Sequence, residues 1–154
     1  MKKKIFVSSG LIAFIDQVIK IMVVKYLAPV SGLTVINNFL YFTYVENTGA
    51  AWGIFAGARW LLVTISILAI YAIIKYFLLD ETITKIEFVG YILLLGGIIG
   101  NLIDRVLYGY VIDYIDIRIG SYHYPVFNLA DMVVVIGAGL IIIHLIRNAL
   151  KQRS

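Results

Sequence analysis

Four long apolar runs, separated by shorter polar stretches, set the plan of this 154-residue chain. A helix crossing the hydrocarbon core of a membrane needs about 20 mostly apolar residues. Residues 5–27, 60–79, 86–103 and 129–146 each supply such a run. The first follows Lys2-Lys3-Lys4, as the apolar core of a cleaved leader would. Its length, the internal Asp16 and Lys20, and the lack of a small-residue cleavage site predict a retained helix instead.

The stretches between these runs differ in kind. Residues 80–85 form a short loop. Residues 28–58 contain a β-branched and aromatic tract from Leu33 to Val45, which favours strands, with Asn47-Thr48-Gly49 as a turn. Phe39, Tyr41, Phe42, Tyr44, Trp52 and Phe55 in that stretch suit a membrane–water interface. Residues 107–128 form the other long connection. The expected class is an all-α membrane protein with four transmembrane helices and a small extracytoplasmic β-sheet between helices 1 and 2. A single domain spans residues 1–154.

Positive charge orients the spans. With both termini cytoplasmic, Lys2, Lys3, Lys4, Lys75, Lys85, Arg147, Lys151 and Arg153 all lie inside. Lys25, Arg59, Arg105 and Arg118 then lie near the outer side. Both long connections, 28–58 and 107–128, therefore face outward. Composition agrees: 62% of residues are hydrophobic and 14% charged, and mean hydropathy is +0.96, whereas soluble domains are about 25% charged. The net charge of +4 comes mainly from segment ends, so it marks topology and not nucleic-acid binding. With no cysteine, the chain has no disulfide, thiolate metal site or thiol nucleophile.

Ionisable side chains at membrane depth are costly and usually mark a site. Asp113, in the second outer connection, and Asp131, opening the last span, meet the same outer boundary as Asp104 and Arg105. Two acids converging on a water-accessible pocket there suggest an aspartic peptidase. Each has a plainer reading. Asp131 stands three residues after Asn128, as an acid in the first turn of a capped helix does. Asp113 is compatible with a turn, and Asp116 is equally acidic, so spacing does not choose between them. Asp104-Arg105 reads as an interfacial ion pair, and Asp16 and Lys20, four apart, as a neutralised pair inside the bundle. Gly97, Asn101 and Asp104 share one face of the third span, and Gly96 and Gly100 permit close helix approach. Ser-Lys catalysis finds no support: Ser8 and Ser9 lie towards the inner end, Ser66 is inside a span, and Ser31 and Ser121 have no motif around them. His123 and His144 belong to opposite faces, with no metal-ligand spacing.

Taken together, Asp16-Gln17-Val18-Ile19-Lys20, Asn47-Thr48-Gly49-Ala50-Ala51-Trp52-Gly53, Gly100-Asn101-Leu102-Ile103-Asp104-Arg105, and Val111-Ile112-Asp113-Tyr114 with Phe127-Asn128-Leu129-Ala130-Asp131 resemble the lipoprotein signal peptidase (signal peptidase II) family over essentially the whole chain. The resemblance implies that Asp113 and Asp131 are the catalytic aspartates and decides against Asp116. It implies that Asn47, Asn101, Arg105 and Asn128 line the site and contact substrate, while Asp16, Lys20 and Asp104 support it. Ile112, Tyr114 and Met132 depart mildly from the family pattern. The implied substrate is a prolipoprotein whose cysteine carries a diacylglyceryl group, cut just before that cysteine without metal or organic cofactor. The setting is the bacterial cytoplasmic membrane, with the site near its outer face in a monomer surrounded by lipid. A small ion- or proton-coupled transporter using Asp16, Lys20 and Asp131 is the competing reading. A non-catalytic membrane subunit is a third.

Overall fold

The apolar runs become helices in a computed structural model, which describes residues 2–30, 32–79 and 83–151. The element order is α1 (Lys2–Tyr26), β1 (Leu33–Ile36), β2 (Leu40–Asn47), a short 3-10 turn (Ala51–Gly53), α2 (Arg59–Leu79), α3 (Lys85–Leu107), β3 (Val111–Ile119), β4 (Tyr122–His123) and α4 (Leu129–Lys151). All four α-helices are long and apolar enough to cross a membrane. Ser31, Arg153 and residues 80–82 lie outside the described residues.

The helices are apolar outside and partly polar inside. The buried positions of α1 are Ile5, Ser9, Ala13, Asp16 and Lys20, spaced by four and three residues along one stripe. Phe6, Leu11, Phe14, Val18 and Ile21 face outward instead. Lipid tails solvate such a surface as well as a protein core would, so the interior is free to hold the polar groups. Helix α3 is central and packs on all three other helices. A methyl group at Gly96 would meet Ile12, and one at Gly100 would meet Asp16 Oδ2 at 2.7 Å; these glycines seat α1. Gly97 gives the same close approach to Val133 and Val134 of α4.

Both long connections contribute to the sheet. Its antiparallel order is β1-β2-β3-β4, so β3 and β4 from residues 107–128 extend the sheet expected within 28–58. Asn37-Asn38 turns β1 into β2, with Asn38 at φ 60°. The edge strand β1 is exposed throughout, whereas Val111, Ile112, Asp113 and Tyr114 of β3 are buried. Asp113 is therefore a strand residue and not a turn residue. Asn47 pairs with Val111, and Val45 with Asp113. This makes Asn47 a diagonal, same-face neighbour of Asp113. Beyond β4 the chain returns to β3, where Ile115 N donates to Phe127 O at 2.8 Å, bringing Asn128 beside Asp113.

Candidate active site

Asp113 and Asp131 line one cavity of about 190 Å³ at the end of the bundle that carries the sheet, with Asn47, Arg105, Tyr124 and Phe127 on its walls. Each acid is held by N–H donors on both carboxylate oxygens. Asp113 accepts from Asn128 Nδ2 at 2.7 Å and Asn47 Nδ2 at 2.9 Å. Asp131 accepts from Asn101 Nδ2 at 2.7 Å and from the backbone N–H of Asn128 at 3.1 Å.

Local structure aims these donors. Asn47 ends β2 and receives Gly49 N–H on its own Oδ1 at 2.9 Å, an Asx turn that leaves the NH₂ facing Asp113. Asn128 precedes α4 and receives Asp131 N–H on its Oδ1 at 3.0 Å. With the return bond from Asn128 N–H, this makes a reciprocal cap of α4. The helix-cap reading of Asp131 and its place in the cavity thus hold together: one oxygen caps while the other receives Asn101.

Asp113 is 2% exposed. Burial, and then the negative charge of Asp131, push its carboxyl up to about 7, although the Asn47 and Asn128 donors and the Lys20 charge pull the other way. Arg105 reaches Gly49 O at 3.1 Å, and its Nε is buried with no hydrogen-bond partner among the described residues. The Arg105 side chain also lines the cavity.

Behind the cavity lies a second ionic cluster. Lys20 Nζ meets Asp16 Oδ2 at 2.8 Å, Asp104 Oδ2 at 2.9 Å and Asn101 Oδ1 at 2.9 Å. Asp16 and Lys20 are paired as expected. Asp104 is not: no ion pair joins it to Arg105 among the described residues, because it turns inward to Lys20, Gln17 Nε2 and Ile112 N–H. Adjacent helical positions point about 100° apart, so Asp104 faces α1 while Arg105 faces the cavity.

The arrangement has counterparts among known proteins. The family model for signal peptidase (SPase) II matches residues 8–147. This chain belongs to the signal peptidase II family. It is 40% identical over 134 residues to a lipoprotein signal peptidase of Clostridium tetani, covering 86% of each chain. With that of Staphylococcus carnosus it is 37% identical over 99% of each chain. Two solved structures of bacterial membrane enzymes superpose with TM-scores of 0.85 and 0.81, at 35% and 36% identity. They cover 96% and 93% of this chain, and 90% and 92% of their own. Family membership does not favour the transporter reading.

Within this signal peptidase II fold, the sequence candidates sort into two groups. Asp113, Asp131, Asn47 and Arg105 line the cavity, while Asn101 and Asn128 stand behind the acids and hold them. Asp16, Lys20 and Asp104 form the buried cluster. Asp116 points elsewhere and pairs with Arg118 at 2.5 Å. Sequence reasoning missed Gln17, which ties Gly100 O to Asp104 at 3.1 and 2.8 Å. It also missed Arg59, whose guanidinium caps the last carbonyls of α3, Arg105 O at 2.8 Å and Val106 O at 2.7 Å. Gln17 stood in a quoted motif between the two charges. Arg59 carried no local signal.

Proposed function

We propose that this chain is an aspartic endopeptidase that removes the signal peptide from prolipoproteins, cutting just before the diacylglyceryl-modified cysteine. The observation that carries the reading is a pair of N–H-bonded carboxylates, Asp113 and Asp131, on one cavity at the end of a membrane bundle. Burial and the charge of Asp131 raise the Asp113 carboxyl to about 7, so one member of the pair keeps a proton near neutral pH. The ionised member takes a proton from water, whose oxygen attacks the scissile carbonyl. The protonated member donates to the developing oxyanion. On collapse the C–N bond breaks and the leaving nitrogen takes a proton from the pair, giving a carboxylate and a free amine. Arg105 Nε and the cavity's Asn47 side hold extended substrate backbone, whose polar groups otherwise go unmet at the lipid boundary.

An apolar groove of about 440 Å³ between β3 and α4 supports the lipidated substrate. It is lined by Ile117, Phe127, Met132 and Val135 and shares Asp131 with the cavity. Acyl chains can stay in the groove and the membrane while the peptide bond is held at the acids. The protein is a monomer in this reading, with both termini cytoplasmic and the site outside, as the lysine distribution favours. Lys20 is ion-paired with Asp16 and Asp104 and bonded to Asn101, which favours a fixed counter-charge over a relay for a transported proton.

The test is cleavage of a diacylglyceryl-cysteine signal peptide by reconstituted wild type beside Asp113→Asn and Asp131→Asn. Cleavage before the cysteine by wild type alone is expected. Activity in either pure variant would sink the paired-acid assignment, and inactivity of folded wild type on confirmed substrate would sink the peptidase.

A further inference from the structure

The Asn101 amide oxygen receives no backbone N–H among the described residues. Asn47 and Asn128 each receive a backbone N–H on their oxygen, from Gly49 and Asp131. Asn101 Oδ1 receives Lys20 Nζ at 2.9 Å and Asn128 Nδ2 at 3.2 Å instead. We infer that Lys20 is a positioning residue for catalysis, which acts by locking the Asn101 amide so that its NH₂ end faces Asp131. The inference rests on the peptidase reading above.

The argument is one of donor and acceptor inventory. A lysine ammonium has three donors and no acceptor, and an amide has one oxygen and two N–H groups. Turned the other way, Asn101 would set its NH₂ against the Lys20 ammonium and the Asn128 NH₂. It would also set its oxygen against Asp131, an acceptor when ionised. Every contact would become donor on donor or acceptor on acceptor. Lys20 is 1% exposed and Asn101 7%, so water does not repair such a mismatch. Lys20 is itself held in place by ion pairs with Asp16 at 2.8 Å and Asp104 at 2.9 Å. Gly100 lets α1 come close enough for this, since Asp16 Oδ2 would lie 2.7 Å from a methyl group there. Asn101 also joins the acids, since Asn128 donates both to its oxygen and to Asp113 Oδ1 at 2.7 Å. A turn of that single amide therefore disturbs both carboxylates at once.

A double-mutant cycle on the reconstituted protein tests this, with Lys20→Met, Asn101→Leu and the two combined, cleaving the same lipidated peptide. Loss of one preorganised donor at a reacting group costs about 10²-fold in kcat. Each single variant is expected to show that loss with KM within about twofold. The combined variant is expected within about threefold of Asn101→Leu, because residues acting as one unit are not additive. A merely structural lysine lowers the folded fraction but does not make its kcat effect vanish when Asn101 is replaced. Equal kcat losses from Lys20→Met in both backgrounds, or wild-type kcat in Lys20→Met, would overturn the inference. Lys20→Met/Asp104→Asn removes one charge of each sign. It runs the same cycle if Lys20→Met alone does not fold. Wild type active and the Asp113→Asn and Asp131→Asn variants inactive, with Lys20→Met unimpaired, would overturn this inference alone. Inactive wild type would take the peptidase reading down with it.

Discussion

Two acid clusters sit side by side at one end of this bundle: Lys20 bridges the acids of one, while among the described residues no ion pair reaches the acids of the other, with Arg105 only lining their cavity. Asp16 and Asp104 share Lys20, and their remaining oxygen positions take Ala130 N–H, Gln17 and Ile112 N–H. Asp113 and Asp131 are held by amide N–H groups alone. Burial and the charge of Asp131 raise the Asp113 carboxyl to about 7, so the second cluster holds a group that can gain or lose a proton near neutral pH.

The sharpest way to break the contrast is to neutralise either acid of the cavity pair. Asp113→Asn or Asp131→Asn should cut turnover by about 10³-fold or more with the fold intact, as expected for a coupled acid–base pair. Peptide cleavage beside a thermal melt checks both halves. Removal of Lys20 should cost stability as well as turnover. Lys20→Met leaves two buried carboxylates with no cation and should cost about 3–5 kcal/mol of stability, read by melting in detergent.

The pH dependence sharpens the comparison further. The carboxyl of Asp113 is raised from 3.8 to about 7 in the fold. Between those values the folded protein binds more protons than the unfolded chain, so this group's contribution falls as pH rises through about 7 and is fully present only below 3.8. Asp113→Asn should therefore melt several degrees higher than wild type at pH 8 and lose that advantage near pH 4. Asn47→Ala removes a donor that favours the ionised form, so the alkaline limb of the wild-type rate profile, near pH 7, should move upward. The smallest effect belongs to the third acid of β3. Arg118→Gln breaks a partly exposed pair with Asp116, the Arg118 side chain being 34% exposed. It should cost under about 1 kcal/mol and leave cleavage unchanged.

The spans were legible because lipid demands long apolar runs whatever the tertiary contacts. The meeting of Asp113 with Asp131 was legible only as a shared membrane boundary. What brings them together is the return of Phe127 onto Ile115, a pairing between residues of irregular composition with no periodic signal. Strand β3 was legible in principle: Val111, Ile112, Ile115, Ile117 and Ile119 are β-branched, yet the charges among them read as loop. The Asp104-Arg105 pairing failed because sequence neighbours on a helix face different partners, and Lys20 lies 84 positions from Asp104 along the chain but 2.9 Å away. Asn101 was legible as a polar face of α3. The direction of its amide depended on a lysine from another helix.

The inward-facing stripe of α1 also bears on how the chain is made. Synthesis delivers α1 to the membrane before α3 exists, so Asp16 and Lys20 first meet lipid without Asp104. Each charge alone would raise the insertion cost by about 2.5–3.5 kcal/mol at a helix centre. Placed four residues apart and 2.8 Å from each other, they enter as a self-neutralised unit. Asp104 and Asn101 arrive later and find the ammonium already stationed, so the first helix serves as the template on which the reactive end is assembled.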